Sequence, residues 1–129
     1  MDGSHVKVKV RDPNKQNYCN VKCDYSEHFQ VIVDGNGKFI DIFAGYPGSV
    51  YDSRVLRASP IYGQALMYPP PGYFLLGDGG YPLLEKPVCS VTPYRNPEAN
   101  NHAQNMFNTC HSRARSVVER AFGIVKARW

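Results

Sequence analysis

Residues 29–43 read FQVIVDGNGKFIDIF, and this stretch decides the fold. Phe29 to Val33 and Phe39 to Phe43 are rich in β-branched and aromatic residues, which suit a pleated, half-buried surface. Asp34-Gly35-Asn36-Gly37 between them supplies residues that accept positive φ, so the stretch predicts an antiparallel hairpin. Upstream, His5 to Val10 alternates strictly, with Val6, Val8 and Val10 on one face and Lys7 and Lys9 on the other. That period of two predicts a half-buried strand before the hairpin. Asp12-Pro13-Asn14 breaks it, and the polar run to Asp24 reads as an irregular excursion or a short edge hairpin.

Downstream, Tyr46-Pro47-Gly48 leads to Ser49, a good helix N-cap, and predicts a short helix from Val50 to about Arg57. Ser59-Pro60 opens a second short helix that Pro69-Pro70-Pro71-Gly72 ends. Tyr73 to Leu76 is an apolar run expected to be a fully buried strand, with Asp78-Gly79-Gly80 at its C-terminal end, and Val88 to Thr92 suggests a further strand. From about Pro97 the pattern is helical, with a break expected near Asn108 to His111. In the last part of that helix Val118, Ala121, Phe122, Val125 and Trp129 share one arc, and Arg115, Glu119 and Lys126 line its edge. The order predicts an α/β chain, an α+β mixed sheet of the ribonuclease-H-like plan. Its first three strands are antiparallel, and helix-connected parallel strands follow.

At 129 residues the chain is the size of one ordinary domain, and 43% hydrophobic residues allow it a core. No stretch approaches the roughly 18 consecutive apolar residues of a membrane span, and no signal peptide is visible, so the expected location is intracellular. Cys19, Cys23, Cys89 and Cys110 read as reduced thiols. The net charge of +4 falls entirely within residues 111–129, where Arg113, Arg115, Arg120, Lys126 and Arg128 face only Glu119. A basic stripe beside a carboxylate suits a polyanion such as DNA, and it equally suits a solvated helix face.

Four acids carry the chemistry: Asp2 in DGSH, Asp52 in GSVYDSRVL, Asp78 in LLGDGGY and Glu119 in RSVVERAFG. Each has a plain structural reading. Asp2 can be a solvated acid, Asp52 can stabilise a helix N-terminus three residues after Ser49, Asp78 can serve a turn, and Glu119 can pair with Arg115. Brought together, they are hard oxygen ligands for Mg²⁺ or Mn²⁺, and two such ions about 4 Å apart can activate water and clamp a phosphate. Other constellations are thinner. Cys19, Cys23 and His28 lack a fourth zinc ligand, and Gly77-Asp78-Gly79-Gly80 is not followed by the GK[ST] of a phosphate loop.

The segments Asp2-Gly3-Ser4-His5-Val6, FIDIFAGYPGSVYDSRVL (39–56), LLGDGGYP (75–82), Thr92-Pro93-Tyr94 and RSVVERAFGIVKARW (115–129) resemble the PIF/Harbinger transposase family and its host-adopted, HARBI-type DDE nuclease relatives. The resemblance implies a DDE triad of Asp2, Asp78 and Glu119, with Asp2, Asp52, Asp78 and Glu119 holding a divalent cation. It further implies phosphodiester hydrolysis in DNA, phosphate contacts from Arg115, Arg120 and Lys126, support of the first acid by His5, a nuclear location with some cytoplasmic presence, and a Myb-like DNA-binding partner. Tyr51 stands where relatives often have His. The family's N-terminal helix-turn-helix-like region has no counterpart here and relatives continue past Trp129, so the expectation is a catalytic core shortened at both ends. The alternative is an inactive domesticated domain that binds DNA or protein.

Overall fold

The computed structural model describes residues 1–11, 13, 15–63, 69–95 and 101–128. Along them run β1 (Asp2–Lys7), a 3-10 turn (Lys15–Tyr18), β2 (Ser26–Val33), β3 (Phe39–Pro47), α1 (Asp52–Ala58), α2 (Pro60–Gly63), β4 (Leu75–Leu76), β5 (Ser90–Val91) and α3 (His102–Arg128). The expected hairpin forms from β2 and β3, and its turn is closed by local chemistry. Asp34 Oδ1 accepts from the amides of Asn36 and Lys38, both at 2.9 Å, and Gly37 takes φ +83°. Near the far end of the hairpin Gly45, at φ +104°, is an extra residue between the pairs Phe29↔Ala44 and His28↔Tyr46. A bulge in that conformation favours glycine.

β1 pairs antiparallel with β2 from Asp2↔Val31 to Lys7↔Ser26, giving the sheet order β1-β2-β3. The strand therefore lies earlier than the Val6-Val8-Val10 alternation predicts, and Val6 is 53% exposed. The cause is non-local: β2 begins at Ser26, so β1 runs out of partner after Lys7, and only one further bond, Val8 N–H to Tyr25 O, extends the pairing. β4 and β5 form a parallel pair, Leu75↔Ser90 and Leu76↔Val91. Residues 77–89 join them without the helix the sequence reading expects. The run at Tyr73 is also less buried than predicted, because Tyr73 and Phe74 are exposed and only Leu75 enters the core. The Met1 nitrogen donates to Leu76 O, which sets β4 beside the start of β1. The result is a mixed α/β structure with an antiparallel sheet and flanking helices.

β2 is central and covered on both faces. Val31 packs with Val118 and Phe122 of α3, joined by Phe29, Val33 and Phe39. On the other face Ile32 packs with Met1, Leu56, Leu75, Tyr81 and Val88. α3 runs unbroken through Asn108–His111, where a break is expected from the sequence. Two polar residues there bond the backbone of other segments instead of disrupting their own helix: Asn108 exchanges two bonds with Tyr94, and the buried His111 has Nε2 3.2 Å from Val91 O of β5. Residues 64–68, 96–100 and 129 fall outside the described set, so the end of the second helical piece, the start of the last helix at Pro97 and the inward place of Trp129 are not among these findings.

Candidate active site

Asp2 lies within β1, opposite Val31, so its backbone is set by the central strand. Its Oδ1 accepts from Gly3 N–H at 3.0 Å and its Oδ2 stands 3.3 Å from Arg115 Nη2. Burial pushes the Asp2 carboxyl above its ordinary pKa. The Arg115 charge and the Gly3 amide oppose that shift, and the charge of Asp78 reinforces it.

Asp52 opens α1, but no capping box forms. The N-cap is Tyr51, without a side-chain bond, and Ser49 donates its hydroxyl to Asn17 O at 2.6 Å. Asp52 turns instead to His28, with Oδ1 2.9 Å from Nε2. His28 is 2% exposed, and its Nδ1 lies 2.9 Å from Val50 O. A carbonyl only accepts, so Nδ1 carries a hydrogen, and the close approach of Nε2 to a carboxylate oxygen then calls for a proton between them. Burial works against a charged ring, but the bonds to Asp52 and Val50 outweigh it and His28 has a raised pKa. His28 is the residue sequence reasoning missed, weighed only as a zinc ligand. Its neighbour His5 stacks on it at 4.7 Å and bonds Ser26 Oγ, so His5 supports Asp52's partner and makes no bond to Asp2.

Asp78 stands two residues past β4, and its Oδ1 accepts from Gly80 N–H at 2.8 Å, a local Asx turn. Arg95, which sequence reasoning also passed over, donates to Gly79 O at 3.0 Å and ties this loop to the chain after β5. Glu119, on α3 and 61% exposed, has Oε1 3.2 Å from the same Arg115 Nη2 that meets Asp2.

Two glycines show how closely the acids gather. A Cβ on Gly80 would stand 2.6 Å from Asp52 Oδ2 and 3.1 Å from Asp78 Oδ1, while one on Gly3 would stand 2.1 Å from Asp52 Oδ1 and 2.4 Å from His28 Nε2. Asp52 is thus held between Gly3 and Gly80, with Asp78 beside it. The Asp2 and Glu119 oxygens are no farther apart than their two bonds to Arg115 laid end to end. Two cations about 4 Å apart, with ligand bonds of roughly 2.1 Å, span outer oxygens about 8 Å apart, so this spacing is compatible with such a pair.

Among the described residues no three Asp, Glu, His or Cys side chains already close on one point. The surroundings nevertheless fit a divalent cation. The donors are hard carboxylate oxygens, the glycines leave a cradle that a Cβ would fill, and the buried Tyr81 hydroxyl has no partner among the described residues. Burial, and then the charges of Asp52, Asp2 and Asp78, keep that phenol protonated far above neutrality.

Beyond His28 a cavity of about 570 Å³ is lined by His5, Val6, Phe29, Val125 and Lys126, among others. Lys126 sits 5.7 Å from the Phe122 ring centre, and Arg113, Arg120 and Arg128 are exposed along α3. Arg115 differs from them, being 15% exposed and engaged with two acids.

A family model described as DDE superfamily endonuclease matches residues 1–129. The chain is similar to the Arabidopsis thaliana "Protein ALP1-like", with 29% identity over 100% of this chain and 34% of that protein. It is similar to the human "Putative nuclease HARBI1", with 28% identity over 100% of this chain and 36% of that protein, and to the mouse protein of the same name, with 31% identity over 92% and 33%. The chain therefore spans about a third of the length of these relatives. No solved structure matches it.

Proposed function

This chain belongs to the DDE superfamily endonuclease family, in its Harbinger-derived and transposase-related branch, and from that premise we propose that it is the catalytic domain of a metal-dependent endonuclease hydrolysing DNA phosphodiester bonds. The observation that carries this reading is the meeting of Asp52 and Asp78 over Gly80, a position without a side chain, with Asp2 close enough for the Asp78 charge to raise its pKa. The strand order supports a ribonuclease-H-like fold: three antiparallel strands, with β4 against the start of β1 and β5 parallel to β4.

In this reading Asp2, Asp52 and Asp78 hold Mg²⁺ or Mn²⁺, with Glu119 at the margin, and Asp2, Asp78 and Glu119 form the triad. A bound cation pair supplies the charge that activates a water and stabilises the leaving oxygen. The water oxygen bonds to phosphorus, the P–O3′ bond breaks, and the products are a 3′-hydroxyl and a 5′-phosphate. The protein's own part is positional. His28 orients Asp52, and the Asp78–Gly80 turn and Arg95 fix the loop. Arg120 and Lys126 contact flanking phosphates, whose attraction weakens with salt. A DNA substrate places the protein in the nucleus, where a Myb-like partner would supply sequence recognition.

Nicking of supercoiled plasmid with Mg²⁺ or Mn²⁺ tests the proposal, with Asp78→Ala and Glu119→Ala beside the wild type. Each substitution is expected to lower the rate by at least about a hundredfold, on the scale of losing one charge-stabilising group. Equal rates in all three would sink the assignment. One observation favours the alternative of an inactive binding module: Arg115 already neutralises Asp2 and Glu119. In that case DNA binding would persist in both variants and nicking would be absent from the wild type.

A further inference from the structure

Arg115 meets Asp2 and Glu119 through one nitrogen, Nη2, at 3.3 and 3.2 Å. Its side chain is 15% exposed, and its Nε is buried without a partner among the described residues. An arginine built to lock one carboxylate uses its planar fork for two parallel bonds. Arg115 instead places a single point of positive charge between two acids from opposite ends of the chain, 113 residues apart for Asp2 and one helical turn for Glu119. Without positive charge there, the two carboxylates would repel each other at this separation. The partnerless Nε means that part of the guanidinium's hydrogen-bonding capacity goes unused in this position, which lowers the barrier to moving it.

We propose that Arg115 is a built-in counter-cation that a divalent metal ion displaces from Asp2 and Glu119, releasing the guanidinium toward the phosphate of the substrate. The inference rests on the metal-binding reading above and adds a competition to it: one position between two carboxylates, claimed by either an arginine or a metal ion. Val118 and Phe122 anchor α3 in the core, so the helix stays in place and only the Arg115 side chain needs to turn.

Competition has a signature that simple scaffolding lacks. Removing Arg115 should strengthen metal binding, whereas removing a residue that merely shapes a site weakens it. Calorimetric titration with Mn²⁺ is expected to give Arg115→Gln an affinity about tenfold above wild type, the equivalent of some 1.4 kcal/mol. Arg115→Lys, which keeps the charge, should stay near wild type. A second measurement needs no variant. Phenylglyoxal modification of Arg115 in the wild type, read by peptide mass spectrometry, should accelerate severalfold in saturating Mn²⁺. If wild type binds Mn²⁺ but Arg115→Gln binds equally or less tightly, or if Arg115 reacts no faster with Mn²⁺ bound, the displacement is refuted and the metal site stands. If neither protein binds Mn²⁺, the site and the displacement fall together.

Discussion

Replacing Gly3 with alanine puts the arrangement of the site to a quantitative test. The added Cβ would stand 2.1 Å from Asp52 Oδ1 and 2.4 Å from His28 Nε2, distances at which something must move. His28 is 2% exposed and held through Nδ1 near Val50 O, while Asp52 is 27% exposed at the edge of α1. Asp52 should therefore yield, and its departure leaves a buried imidazole nitrogen without its acid. Overpacking a tight site costs roughly 1–3 kcal/mol, and a buried polar group stripped of its partner costs about 1–3 kcal/mol more, so Gly3→Ala should destabilise by about 2–6 kcal/mol. Gly79→Ala is the matched control. Nothing lies within 4 Å of its added Cβ, and its φ is outside the positive region, so its stability should stay within about 1 kcal/mol of wild type. Urea unfolding followed by far-UV circular dichroism measures both. A Gly3→Ala loss below about 0.5 kcal/mol, within the range of an ordinary surface change, would show that Asp52 and His28 do not crowd Gly3.

Other consequences are open to similar measurement. His28 has a folded pKa above its ordinary 6.5; its protonated form therefore favours the fold fully below that pH, and this contribution is lost as pH rises through the folded pKa. The urea midpoint of wild type should fall across that window, and a His28→Gln variant with the same slope would refute the assignment. Asn108→Ala removes two bonds to the Tyr94 backbone, at 2.9 and 3.0 Å, and should cost roughly 1–2 kcal/mol without changing helical content. An unaltered urea midpoint would mean that those bonds are replaced by water at no loss.

What the sequence reveals follows the distance over which each feature is determined. The β2–β3 turn is legible because Asp34 makes both of its turn bonds within four residues. The Glu119–Arg115 pair is legible for the same reason, being one helical turn apart. The N-cap at Ser49 fails because its hydroxyl goes to Asn17 O, 32 residues away, and no local rule anticipates that competitor. The first strand is misplaced because β2, rather than its own alternation, decides where pairing stops. His28 escapes notice for a related reason. Its neighbours in sequence, Glu27 and Phe29, say nothing of Asp52, which reaches it only when α1 packs on β2. Asp78 and Gly80 are readable as a turn, but their nearness to Asp52 is a product of the tertiary fold.

β2 explains how one small sheet can combine a core with a polar site. Its odd positions, Phe29, Val31 and Val33, face the apolar side of α3, whereas Ser26, His28 and Gln30 alternate with them and are buried on the opposite face, where His28 meets Asp52 of α1. Fully burying polar groups in a central strand disfavours folding unless each is bonded, and the Gln30 amide has no side-chain partner among the described residues. That unfavourable face is tolerable because the other face is anchored: Val118 and Phe122 clamp α3 to Val31, with Phe122 edge-on to Phe29 at 5.5 Å. The same clamp fixes the helix that carries Arg115 and Glu119. Arg115 lies one turn before Val118 and Phe122 one turn after it, so the residues that stabilise α3 also set the reach of its charged edge toward Asp2. Glu119 can therefore remain 61% exposed and still be held at the site, because its position is set by its buried helical neighbours.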